Sequence, residues 1–524
     1  MNGLNKLLIV THRYLGIPLS AVFIVWFVSG IVMMYAGGLP SLTPEQRLER
    51  LAPVDLARVV LTPQEAAERA GAGAAVREAT LLTVMGRPAY RVGSFGRTTV
   101  FADDGAVLAE IDEADARTVA SRFLDVGEDR VVFAGAVTAP DQWTLALQQE
   151  LPLYRFRVDD GAGTQIYVSP ASAEVVLATT RATRALAWAG TIPHWFYFTP
   201  LRVNQPAWYW TVVWTSVIGC VLAVLGLVLG VTQFRRTRPF DLAASIPYRG
   251  SMRWHYITGA VFGVFALTWA FSGLMSMEPF EWTRAEGLDV PRDVLAGGPV
   301  ELDRFPRLDG AALARALDGR ELKELKLVRI QDAPHYLARS APSHDGRRPE
   351  RQHQPYPMTA GTSLDEVLID ARTMHVRREP FTTESILARL RAAVPDSTIV
   401  AAELIEDYDS YYYARAGRAP LPALRVKFDD PAETWVYADP RKSELVALTH
   451  RSSRLERWLF NGLHSLDFAF WWDRRPLWDV GMILLSLGAL ATSVIGLYLG
   501  VKRLRRDFAR VLRSPVGASS ARDS

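Results

Sequence analysis

A single cysteine, Cys220, occurs in 524 residues, and it sits inside an apolar run. Disulfides within the chain are thereby excluded. So are thiolate zinc sites, iron–sulfur ligation and c-type haem attachment, each of which needs more cysteine. No glycine-rich phosphate turn opens a helix after a strand, so the chain carries no flavin or nicotinamide domain of its own. An excess of one charge is lacking too: a net charge of +3 leaves no footprint for nucleic acid. Paired carboxylates are missing from the apolar runs, where Asp479 is the one acid. That argues against a metal-ion permease. No small-residue cleavage site follows the first apolar run, which is therefore expected to stay as a signal-anchor.

Charge is present, but unevenly. It makes up 22% of the chain, too much for a membrane protein without soluble parts, yet four segments are nearly free of it. Residues 14–35 and 256–277 are each runs of 22 uncharged residues, about 33 Å as helix against a hydrocarbon core of about 30 Å. Residues 208–231 and 477–501 form the other two. The connection after the second run and the tail after the fourth are short and rich in arginine. Positive charge in short loops marks the cytoplasmic side. Both termini are therefore expected inside, and both long polar segments outside, in the periplasm of a Gram-negative cell.

The two halves of the chain superpose. From Leu151 to Arg236 an offset of 270 holds without a gap: Tyr167 meets Tyr437, Arg181 meets Arg451, His194 meets His464, and Gly226 meets Gly496. At the first and third runs the offset is 243. The second polar segment thus carries 27 more residues, expected mostly in a Pro-, Arg- and His-rich loop at 340–363. The resulting division is a helix at 7–36, an outer domain at 37–185, an interfacial segment at 186–207 and a helix at 208–233. After a cytoplasmic loop at 234–253 come a helix at 254–278, an outer domain at 279–456, an interfacial segment at 457–476, a helix at 477–501 and a tail at 502–524. The expected fold class is a membrane protein with four transmembrane α-helices as a tandem duplication and two α+β extracytoplasmic domains. Alternating stretches such as 89–92 and 99–101, beside helix-like pieces rich in Ala, Glu and Arg, point to α+β character. Parallel repeats of this kind commonly pack about an axis along the membrane normal.

Histidine is scarce, nine in all, and four form two repeat-related pairs. His12 and His255 open the first and third runs. In each, a Trp (Trp26, Trp269) follows 14 residues later and a Ser-Gly (Ser29-Gly30, Ser272-Gly273) 17 and 18 residues later. His194 and His464 lie 14 residues ahead of Trp208 and Trp478, towards the outer side. A two-fold axis carries each histidine onto its mate at the same depth, giving an on-axis metal two identical imidazoles. That is the requirement of b-type haem between helices, and Gly16, Gly30, Gly259 and Gly273 would let a porphyrin approach the backbone. Taken singly, a histidine at a helix end is an interfacial or capping residue; four, paired at two depths, favour ligation, because ionisable groups at membrane depth are costly and usually functional. Trp26, Trp269, Trp208 and Trp478 are assigned to packing and the interfacial belt. His335, His344, His353, His375 and His450 have no counterparts in the first half; His344 and His353 fit a solvated loop better than a metal site.

The start His12-Arg13-Tyr14-Leu15-Gly16 with its Ser29-Gly30 ending resembles the opening helix of the PepSY-associated transmembrane helix family. The segments Leu151-Pro152-Leu153-Tyr154-Arg155 and Ile166-Tyr167-Val168-Ser169-Pro170 resemble PepSY-type outer modules. Two departures stand out: Tyr14 replaces the family's usual Trp, and the second copy reads Trp254-His255-Tyr256, which weakens any role for Arg13 but leaves the histidines alone. The resemblance implies an inner-membrane reductase holding two haem b groups. His12 with His255 would bind the inner iron and His194 with His464 the outer one. Electrons from the quinol pool or a cytoplasmic reductase would reach a ferric siderophore or other ferric chelate outside. Arg181, Arg184, Arg451 and Arg454 are candidates for binding haem propionates or an anionic ferric complex, against an ordinary interfacial role. The alternative implied by PepSY-type modules is a non-redox sensor that binds peptide or restrains a protease, its histidines structural.

Overall fold

A computed structural model describes residues 3–73, 75–93, 98–283, 287–341, 365–413, 419–472 and 474–513. They fall into two compact units, one of 1–37, 188–283 and 455–524, the other of 38–187 and 284–454. The first unit holds four helices long and apolar enough to cross a membrane: Gly3–Ala36, Gln205–Thr232, Gly250–Met275 and Leu477–Arg513. This is a multi-pass membrane protein. Several helices outrun their apolar stretches, because Lys and Arg are good helix formers and nothing in the flanking turns stops the backbone. Where they do end, the signals are local. Gly37 at φ +71 closes the first, and the Asn204 side chain caps the second by accepting from the amide of Ala207.

The first helix packs along the fourth and the second along the third, contacts related by the duplication; the third also packs along the fourth. Between them a small apolar core gathers Leu19, Phe23, Phe27, Leu222, Ala270 and Ala489. Phe23 and Phe27 stack at 5.8 Å between centroids, and Phe27 meets Trp269 at 5.7 Å.

The second unit is α+β. Each polar segment builds its own four-stranded antiparallel meander, Val131–Val137, Leu153–Val158, Gln165–Ser169 and Glu174–Thr179 in the first, Ile399–Ile405, Ala423–Phe428, Trp435–Asp439 and Glu444–Thr449 in the second. Both show a register shift at the same repeat position, after Tyr167 and after Tyr437. The helices Glu113–Leu124 and Thr383–Ala393 bury apolar faces (Ala116 and Ala120; Ile386 and Leu390) in the cores around these sheets.

The segments are not separate, however. Three strands from the first (Glu78–Val84, Arg87–Gly93, Thr98–Phe101) and three from the second (Glu324–Ile330, Ala333–Ser340, Asp365–Asp370) form one six-stranded sheet. Its seam is antiparallel, with Leu325 opposite Leu81 and Leu327 opposite Ala79, all fully buried. Arg47 reinforces the join, pairing with Glu174 at 3.3 Å and Glu324 at 2.6 Å. The outer segments expected at 37–185 and 279–456 therefore share one unit. The extra residues of the second copy fall where expected. The turn residues Met85 and Gln331 are 246 apart, whereas the bridged Val100 and Ile369 are 269 apart. Most of the insertion hence lies between Ser340 and Asp365, and residues 342–364 of the expected loop are outside the described residues.

Candidate functional site

All four paired histidines belong to the membrane unit, and the structure brings each to its mate. His12 and His255 face one another with ring centroids 6.3 Å apart and planes at 42°. Each ring is aimed by its own half: His12 Nδ1 meets the main-chain oxygen of Leu222 at 3.2 Å, and His255 Nδ1 that of Thr492 at 3.1 Å. A carbonyl can only accept, so Nδ1 carries the hydrogen in both and Nε2 is left as a lone-pair donor. One turn beyond each carbonyl sits a glycine. A Cβ on Gly226 would stand 2.9 Å from His12 Cε1, and one on Gly496 3.1 Å from His255 Cε1. The ring needs the bare backbone there.

The other couple is built differently. His194 ends a short helical turn, Thr191–His194, and His464 lies in Leu463–Ser465 beyond a π-helical turn, Trp458–Gly462. The chain turns sharply after both, through Phe196 at φ 53 and Leu466 at φ 48. Trp208 and Trp478 pin these turns by donating from Nε1 to the carbonyls of Trp195 (2.7 Å) and Ser465 (2.9 Å). The rings stand 6.1 Å apart at 81°. Their Nδ1 atoms meet hydroxyls, Ser29 Oγ at 3.0 Å for His194 and Ser272 Oγ at 2.9 Å for His464. Ser29 lies 17 residues beyond His12, about 25 Å along the helix. The couples thus occupy two levels separated by the Phe23, Phe27 and Trp269 core.

These separations fit a shared iron. A metal–imidazole bond of about 2.0 Å, plus about 1.1 Å from nitrogen to ring centre, sets two opposed ligating imidazoles about 6.2 Å apart. Rings that merely stacked would lie closer and more nearly parallel. A metal ligand's second nitrogen is ordinarily engaged by a hydrogen bond that fixes its tautomer, and that holds at all four positions. Facing helices of a bundle are where such cofactors are bound.

The family model of the PepSY-associated TM region matches residues 10–301, more than half of the chain. The chain belongs to that family. No curated protein matches it.

Elsewhere in this PepSY-associated chain, the four arginines singled out in the sequence lie at the edge of the extramembrane unit. There they brace the turns at Gly163 and Glu433. Arg184 donates to Thr179 Oγ1 at 2.7 Å and to the carbonyl of Gly163 at 3.0 Å. Its repeat mate Arg454 donates to the carbonyl of Glu433 at 2.9 Å. Arg451 pairs with the Glu433 carboxylate at 3.4 Å, and Arg181 lies over Gly163. Of the four glycines expected beside a macrocycle, Gly30 receives the His194 ring, with Cε1 3.4 Å from a built Cβ. Gly16 and Gly259 face Leu222 and Thr492, while nothing approaches Gly273 within 4 Å. His335 is buried with Nδ1 on the carbonyl of Ala333, His450 meets Thr434 Oγ1, and His375 is exposed. His344 and His353 lie outside the described residues. Among the described residues, no cluster of three or more His, Cys, Asp or Glu is placed to hold a metal ion.

Sequence reasoning missed Gly226, Gly496 and the Leu222 and Thr492 carbonyls. The glycines were visible as repeat-matched positions, but main-chain oxygens leave no mark in a sequence. It also missed the Arg457 guanidinium, which donates to the Asp467 carbonyl at 2.8 Å and pairs with its carboxylate at 3.4 Å, bracing the His464 turn. The repeat mates are Ala187 and Tyr197, so no symmetry signal pointed there.

Proposed function

We propose that this protein is an inner-membrane di-haem b reductase that moves electrons across the bilayer to a ferric chelate, such as a ferric siderophore, and so releases its iron. The observation that carries the reading is the double one above: two opposed imidazole couples at two levels, each ring with Nδ1 engaged and Nε2 available. His12 and His255 hold one haem and His194 and His464 the other. Bound there, haem supplies one-electron redox chemistry without protons or hydride. The protein's part is to fix the ligands, and to exclude water with the Leu19, Phe23, Phe27 and Ala270 core.

The arginine-rich short connections place the His12–His255 level towards the cytoplasm and the α+β unit in the periplasm. The donor is a quinol or a cytoplasmic reductase. A quinol gives two electrons and releases two protons, which reduces two ferric ions at one electron each. A chelate that binds ferrous iron less tightly then lets it go.

Haem stoichiometry of the purified protein tests the reading. Two b haems per chain are expected, with His12→Ala losing one and retaining the spectrum of the other. Reduced protein mixed with a ferric siderophore should reoxidise. A folded, colourless preparation would leave the sensor alternative standing instead.

A further inference from the structure

The two couples differ in what their Nδ1 atoms face, and both halves of the chain make the same distinction. At one level the acceptors are peptide carbonyls, Leu222 and Thr492, 3.2 and 3.1 Å away. At the other they are the hydroxyls of Ser29 and Ser272, which are 1% and 0% exposed. Neither hydroxyl is spare. Ser29 Oγ donates to the carbonyl of Val25 at 2.6 Å, and Ser272 Oγ to that of Trp269 at 3.1 Å. With its one hydrogen engaged in its own helix, each serine offers only lone pairs to the ring. The histidine must then donate from Nδ1.

On the di-haem reading above, we propose that Ser29 and Ser272 are positioning residues that hold His194 and His464 in the ligating tautomer and set their couple at a higher reduction potential than the His12–His255 couple. An amide oxygen carries more negative charge than a hydroxyl oxygen and accepts a stronger hydrogen bond. The Nδ1–H of His12 and His255 is therefore pulled harder, their Nε2 is more basic, and ferric iron is favoured at that level. The serine-held level is the better electron acceptor. One electron passes downhill from the first couple to the second, and the quinol or cytoplasmic reductase replaces it. No proton moves, since every Nδ1–H keeps its acceptor.

Potentiometric titration of the full-length protein, followed in the haem α band, tests this. Wild type should show two one-electron waves, and His12→Ala should remove the lower one. The double variant Ser29→Ala/Ser272→Ala should raise the upper midpoint by at least tenfold in equilibrium constant, about 59 mV for one electron, with the lower unmoved. Ser29→Thr/Ser272→Thr keeps a hydroxyl and should restore the wild-type value. If the alanine pair sheds that haem, the His12→Ala protein alone decides: its surviving wave must be the upper one. An unmoved upper wave, a shift of the lower wave, or loss of the upper wave in His12→Ala overturns the proposal. Fewer than two haems in wild type would instead overturn the reading it rests on.

Discussion

Gly226→Ala gives a direct measure of how closely the His12 ring is held. The added Cβ would stand 2.9 Å from Cε1, 3.5 Å from Nδ1 and 3.8 Å from Nε2 of His12. Ordinary carbon–carbon contact begins at about 3.5 Å, so the ring must retreat by about 0.6 Å or more. Metal–ligand distances tolerate about 0.2 Å. The ring cannot easily swing aside, because its Nδ1 is tied to the carbonyl of Leu222, one turn back on the same helix. The expected outcome is loss of the His12–His255 haem, from two per chain to one, with overpacking costing about 1–3 kcal/mol. Helix propensity does not confound the result, since alanine favours helix over glycine by about 1 kcal/mol. Pyridine haemochrome stoichiometry with the reduced spectrum is the assay. The glycines supply a graded series: Gly496→Ala, with its Cβ 3.1 Å from His255, should act similarly. Gly30→Ala, 3.4 Å from His194, should weaken the other haem, and Gly273→Ala, with nothing inside 4 Å, should be silent. Two intact haems in Gly226→Ala, or equal loss in Gly273→Ala, would refute the reasoning.

Three further outcomes are expected. Leu325→Ala removes a fully buried side chain paired with Leu81 on the sheet seam and should cost about 2–5 kcal/mol, read by thermal or denaturant unfolding. Arg454→Ala removes the donor to Glu433 and should cost about 1–3 kcal/mol with haem content unchanged; loss of haem would return Arg454 to a propionate-binding role. Glu456 is pushed up to about 6 from 4.5 by burial first and by Glu278 second, against the pull of Arg457. Because the folded state holds the proton more tightly, this contribution to stability is full below about pH 4.5 and lost as pH rises through about 6. Glu456→Gln should abolish that slope, visible as melting temperatures that converge with wild type at pH 4.5 and exceed it at pH 7.

The four apolar runs and the pairing of the histidines were legible because both rest on patterns the chain must repeat: length without charge, and an offset shared by His194 and His464. The 270 register even extends to conformations no residue type announces, the positive φ of Phe196 and Leu466. Three things were not legible. The six-stranded sheet joins strands about 245 residues apart in sequence, and Leu81 and Leu325 read as ordinary strand residues whichever sheet they enter. The helix ends drifted because Arg503 to Arg513 continue a helix as readily as they leave a membrane. The glycines nearest the His12 and His255 rings proved to be Gly226 and Gly496 rather than Gly16 and Gly259, since which helix a ring leans on is a matter of packing.

The seam at Leu81 and Leu325 has a bearing on ancestry. Three strands come from each half, and every imidazole couple likewise takes one member from each. A gene encoding a single half would therefore yield an incomplete product, with an open sheet edge and one unmatched ligand at each level. Such an ancestor could have functioned only as a symmetric homodimer. Fusion then freed the two copies to diverge, and the Arg457–Asp467 brace, found on one side alone, is a mark of that freedom.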